Sequence, residues 1–85
     1  MALTDDFTAA QERVKALTQR PGNDALLELY AHYKQATVGD NTGKRPGMLD
    51  LKGRAKHEAW AAQKGKSKDA AMTSYVALVD RLAKS

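Results

Sequence analysis

Tyr30, Tyr33 and Lys34 stand three and four residues apart in the stretch YAHYKQATVGD, residues 30–40. That spacing puts them on one face of a helix. A core-facing stripe carries leucine or valine at such positions, whereas a phenol beside an ammonium suits a group with both a ring and a negative charge. Tyr33 can stack on a purine, and the Tyr30 hydroxyl can donate to a phosphate. Lys52 and Lys56 lie one turn apart and share a face, and Lys15 lies one turn after Gln11. If the first three helices pack side by side, these lysines converge on the tyrosine pair. Each charge-assisted hydrogen bond to a phosphate there contributes about 1.5–3 kcal/mol. The pattern is that of a site for a phosphorylated nucleotide. Leu26, Leu27 and Leu29, one turn earlier, offer a bed for an apolar tail. The competing reading is amphipathic packing at a helix edge, and spacing leaves both open.

Catalytic constellations are missing. There is no cysteine, which removes thiol nucleophiles, disulfides and cysteine-based zinc sites. Ser67, Ser74 and Ser85 have no histidine near them in sequence, and His32 and His57 lie on different helices without an HExxH pattern. Asp40-Asn41-Thr42-Gly43 lacks the alternating acidic ligands of a calcium loop. Gly39, Gly43 and Gly47 match neither a P-loop nor GxGxxG. The expectation is a protein that is not an enzyme, with no metal site and no cofactor.

The elements that must position these residues are helices. The chain has 85 residues, enough for one domain, 1–85. Alanine is its commonest residue, and isoleucine is absent. No apolar run approaches the roughly 18 residues that span a bilayer. The acidic start Met1–Asp6 is not a signal peptide, so the expected location is cytoplasmic. Formal net charge is +4, from 14 basic and 10 acidic residues, a mild lean towards anionic partners.

Periodicity predicts helices over about 5–17, 24–38, 51–63 and 68–83, with Thr4, Asn23, Asp50 and Ser67 as N-caps. Phe7, Ala10, Val14 and Leu17 form the buried stripe of the first. Met72, Val76 and Val79 form that of the fourth, with Tyr75 and Leu82 beside it. The second helix is apolar on two sides, so it touches two things. Gly53 inside the third costs about 1 kcal/mol relative to alanine, a sign of close packing or close ligand approach. Between the second and third helices, residues 39–50 carry three glycines and a proline. So long a loop is either functional or an overhand connection between parallel neighbours. The fold class is all-α, a four-helix bundle.

The same residues resemble a known family. Tyr30 to Asp40, then Arg45-Pro46-Gly47-Met48-Leu49-Asp50, Lys52-Gly53-Arg54-Ala55-Lys56, Ala59-Trp60 and Lys64-Gly65 follow in step the signature of the acyl-CoA-binding proteins. The similarity runs from Phe7 to about Leu82. It implies an up-down-down-up bundle in which the long loop is the overhand link between helices two and three. It implies non-catalytic binding, buffering and transport of medium- to long-chain fatty acyl-CoA thioesters. Tyr30, Lys34 and Lys56 match positions that hold the 3′-phosphate of CoA, and Tyr33 matches the aromatic stacked on adenine. Lys15, Lys52 and Tyr75 match further ligand-lining positions. Phe7, Leu27 and Ala55 match positions beside the acyl chain. The sequence departs from the family at His57, where many members carry tryptophan, and at Gln11, where a small residue is common. Implied partners are long-chain acyl-CoA and, transiently, acyl-CoA-using enzymes and membrane surfaces; a monomer is the default. Two rivals are a nucleic-acid binder, which would show a steep salt dependence, and a bundle that docks a partner helix. Neither accounts for the ordered signature, and no nucleic acid is expected.

Overall fold

The computed structural model describes residues 2–44 and 46–84. Arg45 of the signature and Ser85 lie outside them. Four helices form: α1 (Leu3–Lys15), α2 (Asn23–Thr37), α3 (Leu51–Ala61) and α4 (Lys68–Lys84). There is no strand among the described residues.

Helix ends separate into those written in side chains and those that are not. Asp50 and Ser67 are N-caps as expected: the Asp50 carboxylate accepts from the Gly53 N–H at 2.9 Å, and the Ser67 hydroxyl from the Ala70 N–H at 3.0 Å. Thr4 and Asn23 are not caps. α1 begins earlier, because the Ala2 carbonyl already accepts from the Asp5 and Asp6 N–H groups at 3.1 and 3.2 Å. Thr4 and Asn23 lie inside their helices, whose N-caps are Ala2 and Gly22 with no side-chain bond. α1 and α3 also stop two residues short of expectation, at Lys15 and Ala61, and continue as tight turns. α2 stops where Gly39 takes φ +98°, a left-handed value that favours glycine. Gly53 has a local cause rather than close packing of elements. A Cβ there would meet the capping Asp50 carboxylate at 2.3 Å, so the glycine makes room for the cap.

α1 packs on α4, α4 on α2 and α2 on α3. Helices one, two and three therefore do not pack side by side as a set; α1 packs chiefly on α4. The core joins Phe7 and Ala10 of α1, Leu29 and Ala36 of α2, and Ala71, Tyr75, Leu78 and Val79 of α4. The α4 stripe centres on these four rather than on Met72 and Val76, which pack at its edge. With alanine at three of eight core positions, backbones approach closely and the few large side chains carry most of the burial energy. α3 buries no residue.

One fully buried side chain is polar. The Gln35 side-chain N–H₂ donates to the Asp40 carboxylate and to the Lys66 carbonyl, both at 2.8 Å. The same Asp40 oxygen accepts from the Gly65 N–H at 2.9 Å. These bonds tie α2, the start of the long loop and the α3–α4 turn together. The Gly65 bond, then that of Gln35, holds the Asp40 carboxyl below its ordinary value.

Candidate functional site

A cleft of about 390 Å³ opens between α2 and α3. Leu26, Leu27 and Tyr30 line it from α2, and Leu51, Lys52, Ala55 and Lys56 from α3, with Arg20 and Asn23 at its end. The sequence builds both walls by helical spacing. Leu26, Leu27, Tyr30 and Lys34 recur at three or four residues, as do Lys52, Ala55, Lys56 and Trp60.

At one end of the cleft, cations and rings alternate. The Lys56 ammonium lies 5.5 Å from the Tyr30 ring centre. The Lys34 ammonium lies 6.0 Å from the same ring and 5.2 Å from that of Trp60. The Trp60 indole N–H donates to the Gly39 carbonyl at 2.8 Å, which fixes the ring against the end of α2. Among the described residues neither lysine has a carboxylate partner. Two ammonium groups beside one phenol, neither paired with a carboxylate, are an arrangement that suits an anion.

Phe7, Tyr33 and Tyr75 form a second group. The Phe7 ring stacks on Tyr33 with centres 6.0 Å apart at 29°, and meets Tyr75 edge-on at 5.0 Å. This trio connects α1, α2 and α4. Phe7 and Tyr75 are buried, while Tyr33 is 39% exposed and keeps one face free of Phe7. Burial, and to a lesser degree the Tyr33 phenol, pushes the Tyr75 hydroxyl above the ordinary tyrosine value. It therefore remains a donor at neutral pH.

Five of the ten residues singled out in the sequence thus line the α2–α3 cleft, Tyr30, Lys52, Lys56, Leu27 and Ala55, and Lys34 stands beside Tyr30. Three form the aromatic trio. Lys15 joins neither group; it is exposed in the last turn of α1, 3.6 Å from Glu12. Leu26, expected with Leu27 and Leu29 as a bed for an apolar tail, lines the cleft, whereas Leu29 is in the core; Trp60, Arg20, Asn23 and Leu51 were not among the expected site residues. Trp60 carries a signal that sequence offers, one turn after Lys56 on the same face. Arg20 and Asn23 carry none, since only the packing of α2 on α3 brings them to the cleft.

The two departures from the family pattern also find places. His57 Nε2 lies 3.2 Å from the Gly43 carbonyl; a carbonyl can only accept, so Nε2 carries the proton. The Asn41 amide donates to the His57 carbonyl at 3.3 Å. His57 therefore fastens the long loop to α3. Gln11 turns back to donate to the Phe7 carbonyl at 3.4 Å and is not among the residues lining the cleft. His32 sits half-buried on α2, where burial and then Lys66 lower its pKa. No group of three or more histidines or acidic residues among the described residues could hold a metal ion. Nor is any described helix long and apolar enough to cross a membrane.

Comparison with known proteins gives this arrangement its context. The profile of the acyl-CoA binding protein family matches residues 4–79. An acyl-CoA-binding protein homolog of Drosophila melanogaster is 55% identical over 80 residues, covering 94% of this chain and 93% of its own. Acyl-CoA-binding protein homolog 1 of Caenorhabditis elegans gives the same identity and the same coverage of both chains. The crystal structure of Oryza sativa acyl-CoA-binding protein 2 superposes with a TM-score of 0.92 at 43% identity, covering 98% of this chain and 92% of that one. A family profile over most of the chain, near-full-length relatives and a shared fold agree: the chain belongs to the acyl-CoA binding protein family.

Proposed function

We propose that this protein binds, buffers and carries medium- to long-chain fatty acyl-CoA thioesters without transforming them. The observation that carries the reading is the array Lys56–Tyr30–Lys34–Trp60 at the rim of an apolar cleft. Acyl-CoA has the matching halves, a phosphorylated nucleotide and a hydrocarbon tail. In this reading Tyr30, Lys34 and Lys56 take the 3′-phosphate. The free face of Tyr33 takes the adenine. Leu27 and Ala55 lie along the tail, and Lys52 stands over the cleft. Tyr75 supplies a hydroxyl, and Phe7 sets the Tyr33 ring. Lys15 reaches the ligand from the end of α1.

Each buried methylene contributes about 0.8 kcal/mol at best. A long tail then outweighs any single phosphate contact, and the head group supplies orientation and rejects free fatty acid. The carrier is a cytoplasmic monomer that meets acyl-CoA-using enzymes and membrane surfaces transiently. No cofactor takes part.

Calorimetric titration with palmitoyl-CoA, CoA and palmitate tests the reading. Tight one-to-one binding of the ester, with much weaker binding of either half, is the expected result. Affinity that stays flat as the chain lengthens from about 8 to about 16 carbons contradicts the buried tail. No heat with any of the three removes the function itself.

A further inference from the structure

The net charge of this chain is local. Residues 44–56 hold five of the 14 basic residues and one of the 10 acidic ones. The rest of the chain carries nine of each, so the whole formal charge of +4 belongs to this segment. Its single acid, Asp50, is engaged as the cap of α3.

The same segment holds the three most exposed large apolar side chains among the described residues: Leu49 at 97%, Met48 at 81% and Leu51 at 75%. A turn closes from the Asp50 N–H to the Gly47 carbonyl at 3.1 Å and sets Met48 and Leu49 at its two corners. Turn corners ordinarily take glycine, proline, asparagine, aspartate or serine. Met48 and Leu49 do not line the cleft, so ligand contact does not account for them. The loop before them is anchored rather than loose, since the Gly43 carbonyl accepts from His57.

We infer that this corner is a docking surface for a membrane rich in anionic lipid. Met48 and Leu49 enter the headgroup layer, and Lys44, Lys52 and Lys56 form a cationic collar. An apolar tip with basic residues around it is what an anionic interface attracts. A second copy of the chain fits less well, because two segments of net charge +4 would face each other. Lys52 and Lys56 belong both to the collar and to the cleft wall. Docking therefore turns the cleft mouth to the bilayer, where acyl tails reside. The inference rests on the carrier reading for its cargo and not for its surface.

The test is sedimentation of the full chain with vesicles of phosphatidylcholine alone and of phosphatidylcholine with phosphatidylglycerol. Binding to the anionic vesicles, falling with added salt, is expected. The double variant Met48→Gln/Leu49→Gln should lose on the order of a hundredfold in vesicle affinity. Lys44→Gln should lose about fivefold. Lys64→Gln, outside the segment, serves as the control and should change little. Both apolar-tip and Lys44 variants should keep their affinity for palmitoyl-CoA in vesicle-free solution. Equal binding to both vesicle types, equal losses from Lys64→Gln and Lys44→Gln, or wild-type protein left in the supernatant each overturns the inference. So does a dimer that only the double variant abolishes, which would assign the surface to a second copy. Vesicle binding that meets these expectations in a chain with no affinity for palmitoyl-CoA would keep the surface and remove the cargo.

Discussion

α3 and α4 follow one another in the chain and divide the work between them. α4 buries Ala71, Tyr75, Leu78 and Val79, whereas α3 buries nothing. Yet α3 supplies Leu51, Lys52, Ala55 and Lys56 to the cleft. α4 thus serves mainly the core and α3 mainly the cleft, while α2 serves both. α3 is held from its margins instead, by the Asp50 cap, by Trp60 on Gly39 and by Asn41 and Gly43 on His57. An element with few buried apolar contacts opens at lower free energy than the core. In the proposed carrier, α3 is therefore the wall that bound ligand should stabilise most.

The comparison can be broken first at the core. Leu78→Ala should cost about 2–4 kcal/mol of stability, read as a lower denaturation midpoint by circular dichroism. The folded fraction should bind palmitoyl-CoA nearly as well as wild type. An affinity loss as large as the stability loss would mean that α4 and the cleft are one cooperative unit.

Lys34→Ala is the converse. Losing a charge-assisted phosphate contact should weaken palmitoyl-CoA binding by about 1.5–3 kcal/mol, roughly ten- to a hundredfold, with a small change in midpoint. The ester of dephospho-CoA should lose far less in the same titration. Equal losses for both esters would take the 3′-phosphate away from Lys34.

Asp50→Ala sharpens the contrast. Losing an N-cap costs about 1 kcal/mol, and the loss should concentrate in α3. Hydrogen exchange is the measurement: amides of α3 should exchange faster in the variant while those of α4 change little, and palmitoyl-CoA should restore protection to α3. Uniform acceleration over both helices would show that they do not open independently.

The smallest effect lies at the seam between the regions. The Asp40 carboxyl is held below its ordinary value of about 3.8 by the Gly65 N–H and Gln35. Its stabilising contribution is complete above that ordinary value and is lost as pH falls through the lowered one. Asp40→Asn should therefore flatten the acid limb of a stability–pH profile and leave its shape near neutrality unchanged. An acid limb as steep as that of wild type would mean that other carboxylates dominate it.

Local features were legible where a side chain does its work within a turn or two of its own position. Asp50 and Ser67 read as caps because their side chains bond backbone three residues on. Lys52 and Lys56 read as one face because helical geometry places them there. Thr4 and Asn23 were misread because a preceding backbone carbonyl can open a helix without any side-chain cap. Gln35 gave no sign that it is fully buried, since its partners, Asp40 and Lys66, belong to the loop and to the α3–α4 turn. Of the lysines expected to converge from three helices, Lys15 does not join the cleft, because α1 packs on α4 rather than on α3.

The sequence by itself determined four helices, the caps of two of them, the two helical faces that carry rings and lysines, and a family signature spanning the chain. Periodicity and capping act within a few residues, so a linear reading contains them. Only the tertiary structure decided which faces meet. It set two ammonium groups on the Tyr30 ring, brought Trp60 against Lys34, and left Met48 and Leu49 at an exposed turn corner. Those outcomes depend on how helices far apart in the chain pack, and packing selects among faces that periodicity leaves equivalent.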